Sequence, residues 1–268
     1  KLLILSAALF IVASIGTGLS NTLASFISFR ILGGVGIGLA SNLSPMYIAE
    51  ITPAKIRGAF VSINQLTIVV GILLAQLINW RIAEPVPENS TIQEIAFSWN
   101  GQVAWRNMFF ACAIPATLFF ALMWLVPESP RWLAKEAKGE GRAGRILSRI
   151  GGNEYADKEL ASIKETLRNV TAGKRLPLDR EPGVSRLLLI GIVNAVFQQW
   201  CGINVIFNYA QEIFANAGYS VSDILFNIVI TGSVNLVFTF AGMFAVDRLG
   251  RKSLMLIGAG GLAFIYAV

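Results

Sequence analysis

The sequence predicts an all-α membrane protein, and three observations carry that reading. Of 268 residues, 54% are hydrophobic and 14% charged, with a mean hydropathy of +0.62, too apolar and too charge-poor for an ordinary soluble domain. Apolar runs of about 20 residues, long enough to cross the hydrocarbon core as a helix, recur along the chain. Lys and Arg concentrate in one polar segment between two groups of such runs, the mark of a cytoplasmic loop.

The same composition excludes other classes. The formal charge of +6 reads as membrane topology and not as a nucleic-acid surface, because the basic residues are clustered. There is no His, which removes the commonest neutral-pH proton shuttle and the commonest metal ligand, and no metal or cofactor is expected. Cys112 and Cys201 both fall in apolar runs, which rules out a disulfide framework and a CxxC metal site. No acid pair, His or Cys cluster sits at membrane depth, so an enzyme is the weakest reading. Residue one is Lys and the chain stops inside an apolar run, so a piece of a longer protein is expected, with no signal peptide in view.

The candidate spans are residues 2–20, 26–48, 59–80, 106–126, 187–210, 224–246 and a run from 253. Between residues 128 and 186 thirteen Lys or Arg stand against nine acids, which puts that segment in the cytoplasm. Counting spans outward, the links with Lys55 and Arg57 and with Arg248, Arg251 and Lys252 fall inside, and the 81–105 link outside. The chain thus divides into 1–126, a cytoplasmic segment 127–186, and 187–268.

The second span opens Arg30-Ile31-Leu32-Gly33-Gly34-Val35-Gly36-Ile37-Gly38, and its small residues let helices approach closely. Arg30, at its outer end, either snorkels to the interface or partners an acid on another helix. Glu50 ends this span and Arg57 follows across a short link. In the third span, Gln65 and Gln76 lie within about 20° of each other at about 100° per residue, and Asn79 lies about 40° to the other side. One polar face results, suited to a bundle interior or a water-filled cavity.

After Val126 comes Pro127-Glu128-Ser129-Pro130-Arg131-Trp132-Leu133, where Ser129 before Pro130 reads as the cap and first turn of a helix. Within 157–168, Leu160, Ile163 and Leu167 recur at helical spacing, so a small cluster of cytoplasmic helices is expected. The stretches 138–141 and 171–183 read as turns or linkers.

The fifth span carries the strongest signal: Gln198, Gln199, Asn204 and Tyr209 inside an otherwise apolar run. A polar group without a partner is costly there, and a neutral carboxamide offers both a donor and an acceptor edge to a polyhydroxylated solute. Gln198 and Asn204 are about 120° apart on an ideal helix, so they face one ligand only if the helix is broken, and Gly202 is the place for the break. In the sixth span Asn227, Thr231, Asn235 and Thr239 form a stripe that either glues helices together or lines a pathway. Residues 258–263 fit a dinucleotide-binding pattern but lack its strand-helix context, and the match is set aside.

Taken in order, Arg30 to Gly34, Glu50 with Arg57, Pro127 to Leu133, Gln198-Gln199 with Gly202-Ile203-Asn204, and Asp247-Arg248-Leu249-Gly250-Arg251-Lys252 resemble the sugar porters of the major facilitator superfamily, most of all the bacterial D-xylose/proton symporters. The similarity covers essentially the whole chain and implies a helical bundle, entered at the third of twelve helices and left within the ninth. By this resemblance Gln65, Gln198, Gln199, Asn204, Asn235 and Tyr209 would bind a monosaccharide, a pentose such as D-xylose or a hexose. Arg30 would serve proton coupling, and Glu50, Arg57, Glu128, Arg131, Asp247 and Arg251 would form a cytoplasmic latch between two halves. Two positions depart from the family pattern: Asn208 precedes Tyr209 where two tyrosines are common, and Cys112 stands where some symporters carry an acid. The expected protein is a multi-pass monomer of the bacterial inner (plasma) membrane that takes a sugar, with a proton as coupling ion, and binds no nucleic acid. A facilitated-diffusion uniporter and a transporter-like sugar sensor are the competing readings.

Overall fold

The structure, a computed structural model, describes residues 1–54, 56–87, 90–136, 139–171, 184–202, 205, 209–216 and 221–267. It forms two compact units, residues 1–64 with 96–175, and residues 65–95 with 176–268. Among the described residues, five helices are long and apolar enough to cross a membrane.

The first unit is built on α1 (Leu2–Leu19), α2 (Leu23–Ile51) and α5 (Trp105–Met123). Thr22 caps α2, its Oγ1 accepting from the Ser25 amide at 3.2 Å. Gly33 and Gly36 of α2 do the packing expected of them, whereas a Cβ on Gly34 or Gly38 would meet nothing within 4 Å. A Cβ on Gly33 would lie 3.2 Å from the Ala13 Cβ, and one on Gly36 would lie 3.1 Å from the Ser6 carbonyl oxygen. That closeness lets the Ser6 hydroxyl donate to the Gly36 carbonyl at 2.9 Å across the helix pair. α5 packs against α1 with Phe110 filling the space over Gly18, and its Trp105 and Phe109 rings meet Phe26 of α2.

Below them lie α6 (Pro130–Lys135), α7 (Glu140–Gly151) and α8 (Asn153–Thr171). The stripe read from 157–168 is buried against a small core of Leu147, Ala156 and Ile163, with Leu160 and Leu167 packed on it. Gly152, at φ +84, turns the chain from α7 into α8, a left-handed conformation that favours glycine.

The second unit holds α3 (Arg57–Ile82) from Gln65 onward, α9 (Val184–Trp200), α10 (Ala210–Asn216), α11 (Val221–Leu249) and α12 (Arg251–Ala267). The short helix α4 (Ile92–Phe97) begins with a reciprocal cap in which the Thr91 amide donates to Glu94 Oε2 at 2.7 Å and the Glu94 amide to Thr91 Oγ1 at 3.3 Å. One of the seven expected spans differs from expectation: the run 187–210 is not one helix, since α9 stops at Trp200.

Candidate functional site

The fifth apolar run breaks at Gly202, the position expected for a break from the sequence. Gly202 has φ +85, and the Tyr266 hydroxyl on α12 donates to the Cys201 carbonyl at 2.9 Å, satisfying backbone freed at the end of α9. A Cβ at 202 would meet the Tyr266 oxygen, so glycine serves both the turn and this contact. Nothing in the sequence marked Tyr266, because the two residues are 65 positions apart.

Gln198 and Gln199 lie in the last turn of α9, exposed, and Tyr209 is exposed just before α10. Asn204 lies outside the described residues. Gln65 is exposed on α3, and Asn235 is half-buried on α11. The stripe on α11 is only partly available to a ligand. The Thr231 and Thr239 hydroxyls donate to the carbonyls of Asn227 and Asn235 at 2.9 and 2.8 Å, which leaves the two asparagine amides as its polar face.

In the first unit, Arg30 lines a cavity of about 130 Å³ together with Ser14, Thr17, Phe109 and Cys112. Its guanidinium carbon stands 5.5 Å from the Phe109 ring centroid, within cation–π range. The Cys112 thiol donates to the Met108 carbonyl at 3.4 Å.

At the opposite end of α2, Glu50 meets the cap of α6. The Ser129 hydroxyl donates to Glu50 Oε2, and its oxygen accepts from the Trp132 amide at 3.3 Å. The Tyr47 hydroxyl donates to the Pro127 carbonyl at 2.7 Å, a second tie between α2 and the same motif. Arg57 donates to the Thr52 carbonyl at 3.4 Å, while its Nε is buried without a hydrogen-bond partner among the described residues. Glu128 is 3.4 Å from the amino group of Lys1, and Arg131 is exposed. The side chains of Asp247 and Arg251 lie outside the described residues. Nearby, burial and Glu159 raise the Tyr155 phenol above its ordinary pKa, and the Arg57 guanidinium offsets part of that rise.

Arg106 was not singled out by sequence. It donates to the carbonyls of Gly18 and Ser20, both at 2.8 Å, and to Asn21 Oδ1 at 3.1 Å, with its guanidinium 4.4 Å from the Trp105 ring centroid. This clamp joins the end of α1 to the start of α5.

A family model described as "Sugar (and other) transporter" matches residues 1–268. The D-xylose-proton symporter of Escherichia coli is 42% identical over 247 residues, covering 91% of this chain and 47% of that protein. The glucose transport protein of Synechocystis is 38% identical over 273 residues, covering 100% of this chain and 56% of that protein. A solved structure of the xylose transporter XylE from E. coli, in a partially occluded inward open conformation, superposes with a TM-score of 0.77 at 37% identity, over 96% of this chain and 56% of that one. The chain spans about half the length of the curated relatives it matches. Matched over its full length by that family, and sharing the fold of a solved member at well above chance identity, this chain belongs to the sugar porter family of the major facilitator superfamily.

Proposed function

We propose that the protein is an integral membrane transporter of a monosaccharide, a pentose such as D-xylose or a hexose, working by alternating access with proton symport. The observation that carries this reading is the end of α9 at a left-handed Gly202 directly after Gln198 and Gln199, the kind of helix break at which transporters of this architecture place a solute. Gln65, Gln198, Gln199, Asn204 and Asn235 would exchange hydrogen bonds with sugar hydroxyls, and Tyr209 would offer an aromatic wall. In this reading 1–126 belongs to one half of the transporter, 127–186 is a cytoplasmic linker, and 187–268 opens the other half. Glu50, Arg57, Glu128, Arg131, Asp247 and Arg251 would form a latch whose polar contacts break and re-form as the halves move.

Proton coupling draws support from the similarity to the D-xylose-proton symporter and from Arg30, whose charge faces a cavity within the bundle. Cys112, in the same cavity, supplies no carboxylate to join that coupling. The test is uptake of labelled D-xylose and D-glucose by the full-length protein in proteoliposomes, with and without an inward proton gradient. Uptake stimulated by the gradient is expected. Uptake indifferent to it would make the protein a facilitated-diffusion uniporter, and sugar binding without uptake or counterflow would make it a sensor.

A further inference from the structure

We propose that Gln76 is a positioning residue of the transport cycle, its amide oxygen unpaired in a contact between α3 and α11 that is built to come apart. The proposal rests on the transport reading above. Gln76 Oε1 is buried and has no hydrogen-bond partner among the described residues. Facing it on α11 is Gly232, itself buried, where a Cβ would overlap that oxygen and lie 3.3 Å from Leu73 Cδ1. One turn along α3, the Trp80 ring meets Phe226 with centroids 5.9 Å apart and planes tilted by 47°. Going from 76 to 80 on one helix corresponds to going from 232 back to 226 on the other, so the two contacts form one antiparallel seam.

The chemistry of this seam is mixed in a telling way. Gly232 and the aromatic pair favour close approach, through dispersion and the lack of a side chain. An amide oxygen left unpaired in a buried place opposes it, because it forfeits a hydrogen bond it makes whenever water or a hydroxyl reaches it. A seam meant only to hold would carry an apolar residue at 76 or a donor at 232. Closed and open states are thereby kept within reach of each other, which an alternating cycle requires. Gln76 also lies within about 20° of Gln65 around α3, so opening the seam exposes its amide on the face assigned to the sugar. By the distribution of basic residues, this seam lies toward the outer ends of both helices.

The experiment uses the full-length protein with its native cysteines replaced by serine and the pair Trp80→Cys/Phe226→Cys installed, reconstituted in proteoliposomes. Gln76→Leu removes the opposing term, so the disulfide cross-linking rate rises and maximal sugar turnover falls, each by about tenfold, while the half-saturating sugar concentration changes little. Gly232→Ala wedges the seam and lowers the cross-linking rate. If Gln76→Leu does not reach the membrane, Gln76→Met, closer in shape, gives the same two readouts. Unchanged cross-linking and turnover in the folded Gln76 variant overturn the proposal. Lack of sugar uptake by the parent protein counts against the transport reading alone, since the cross-linking arm needs no sugar and still decides the role of Gln76.

Discussion

Glu50 and Ser129, 79 residues apart, are joined by a hydrogen bond from the serine hydroxyl to the glutamate carboxylate, and the same hydroxyl caps the helix that opens at Pro130. One oxygen therefore ties the end of α2, a helix long and apolar enough to cross a membrane, to the first turn of the cluster formed by α6, α7 and α8. Ser129→Ala leaves both the carboxylate and the Trp132 amide without this partner. We predict a loss of about 1–2 kcal/mol of stability in the full-length protein, read as a lower thermal midpoint in detergent, with Ser129→Thr retaining most of it.

Arg106 places a charge on three neutral acceptors at the end of α1. Arg106→Lys keeps the charge but cannot span two carbonyls and the Asn21 amide in one plane. The expected result is faster hydrogen exchange of the amides near residues 17–21, with a stability loss of about 1–3 kcal/mol.

Gly202→Ala is expected to strain the left-handed turn by about 1–2 kcal/mol and to push Tyr266 off the Cys201 carbonyl. The variant should reach the membrane yet bind sugar more weakly. Tyr266→Phe, which removes only the hydrogen bond, should show a smaller effect in the same titration.

The reciprocal cap at Thr91 and Glu94 makes a pH prediction. The Thr91 amide, and then the Thr91 side chain, hold the Glu94 carboxyl below its ordinary pKa. A depressed carboxylate contributes stability that is fully present above its unfolded pKa and is lost as pH falls through the folded value. A carbon-13 NMR titration should therefore find Glu94 ionising at lower pH than a free glutamate. Thr91→Pro, which deletes the donating amide, should move it back toward the ordinary value.

These cases also mark which parts of the molecule were legible in the sequence. The Ser129 cap, the α8 stripe and the glycine packing of α2 are local or periodic, so residue type and spacing give them directly. The break at Gly202 followed from the angle between Gln198 and Asn204, although the helix before it came out shorter than the apolar run suggested. Arg106 and Tyr266 were missed because each acts on a backbone carbonyl far away in sequence, and carbonyls carry no residue-specific signature. An arginine beside a tryptophan at the head of a span reads equally well as an interfacial anchor. On the α11 stripe, spacing did not show that Thr231 and Thr239 donate their hydroxyls to their own helix, since a threonine can bond its own backbone without changing the period.

The central claim is that amides on α3, α9 and α11 hold a carbohydrate between them, and equilibrium binding tests it most directly. Purified full-length protein would be titrated with D-xylose and D-glucose by calorimetry, beside Gln65→Ala, Gln198→Ala and Asn235→Ala. Each substitution should weaken binding by about five- to hundredfold, the cost of a lost hydrogen bond to a buried hydroxyl, without changing the thermal midpoint of the sugar-free protein. Sugar affinity untouched by all three would contradict the account.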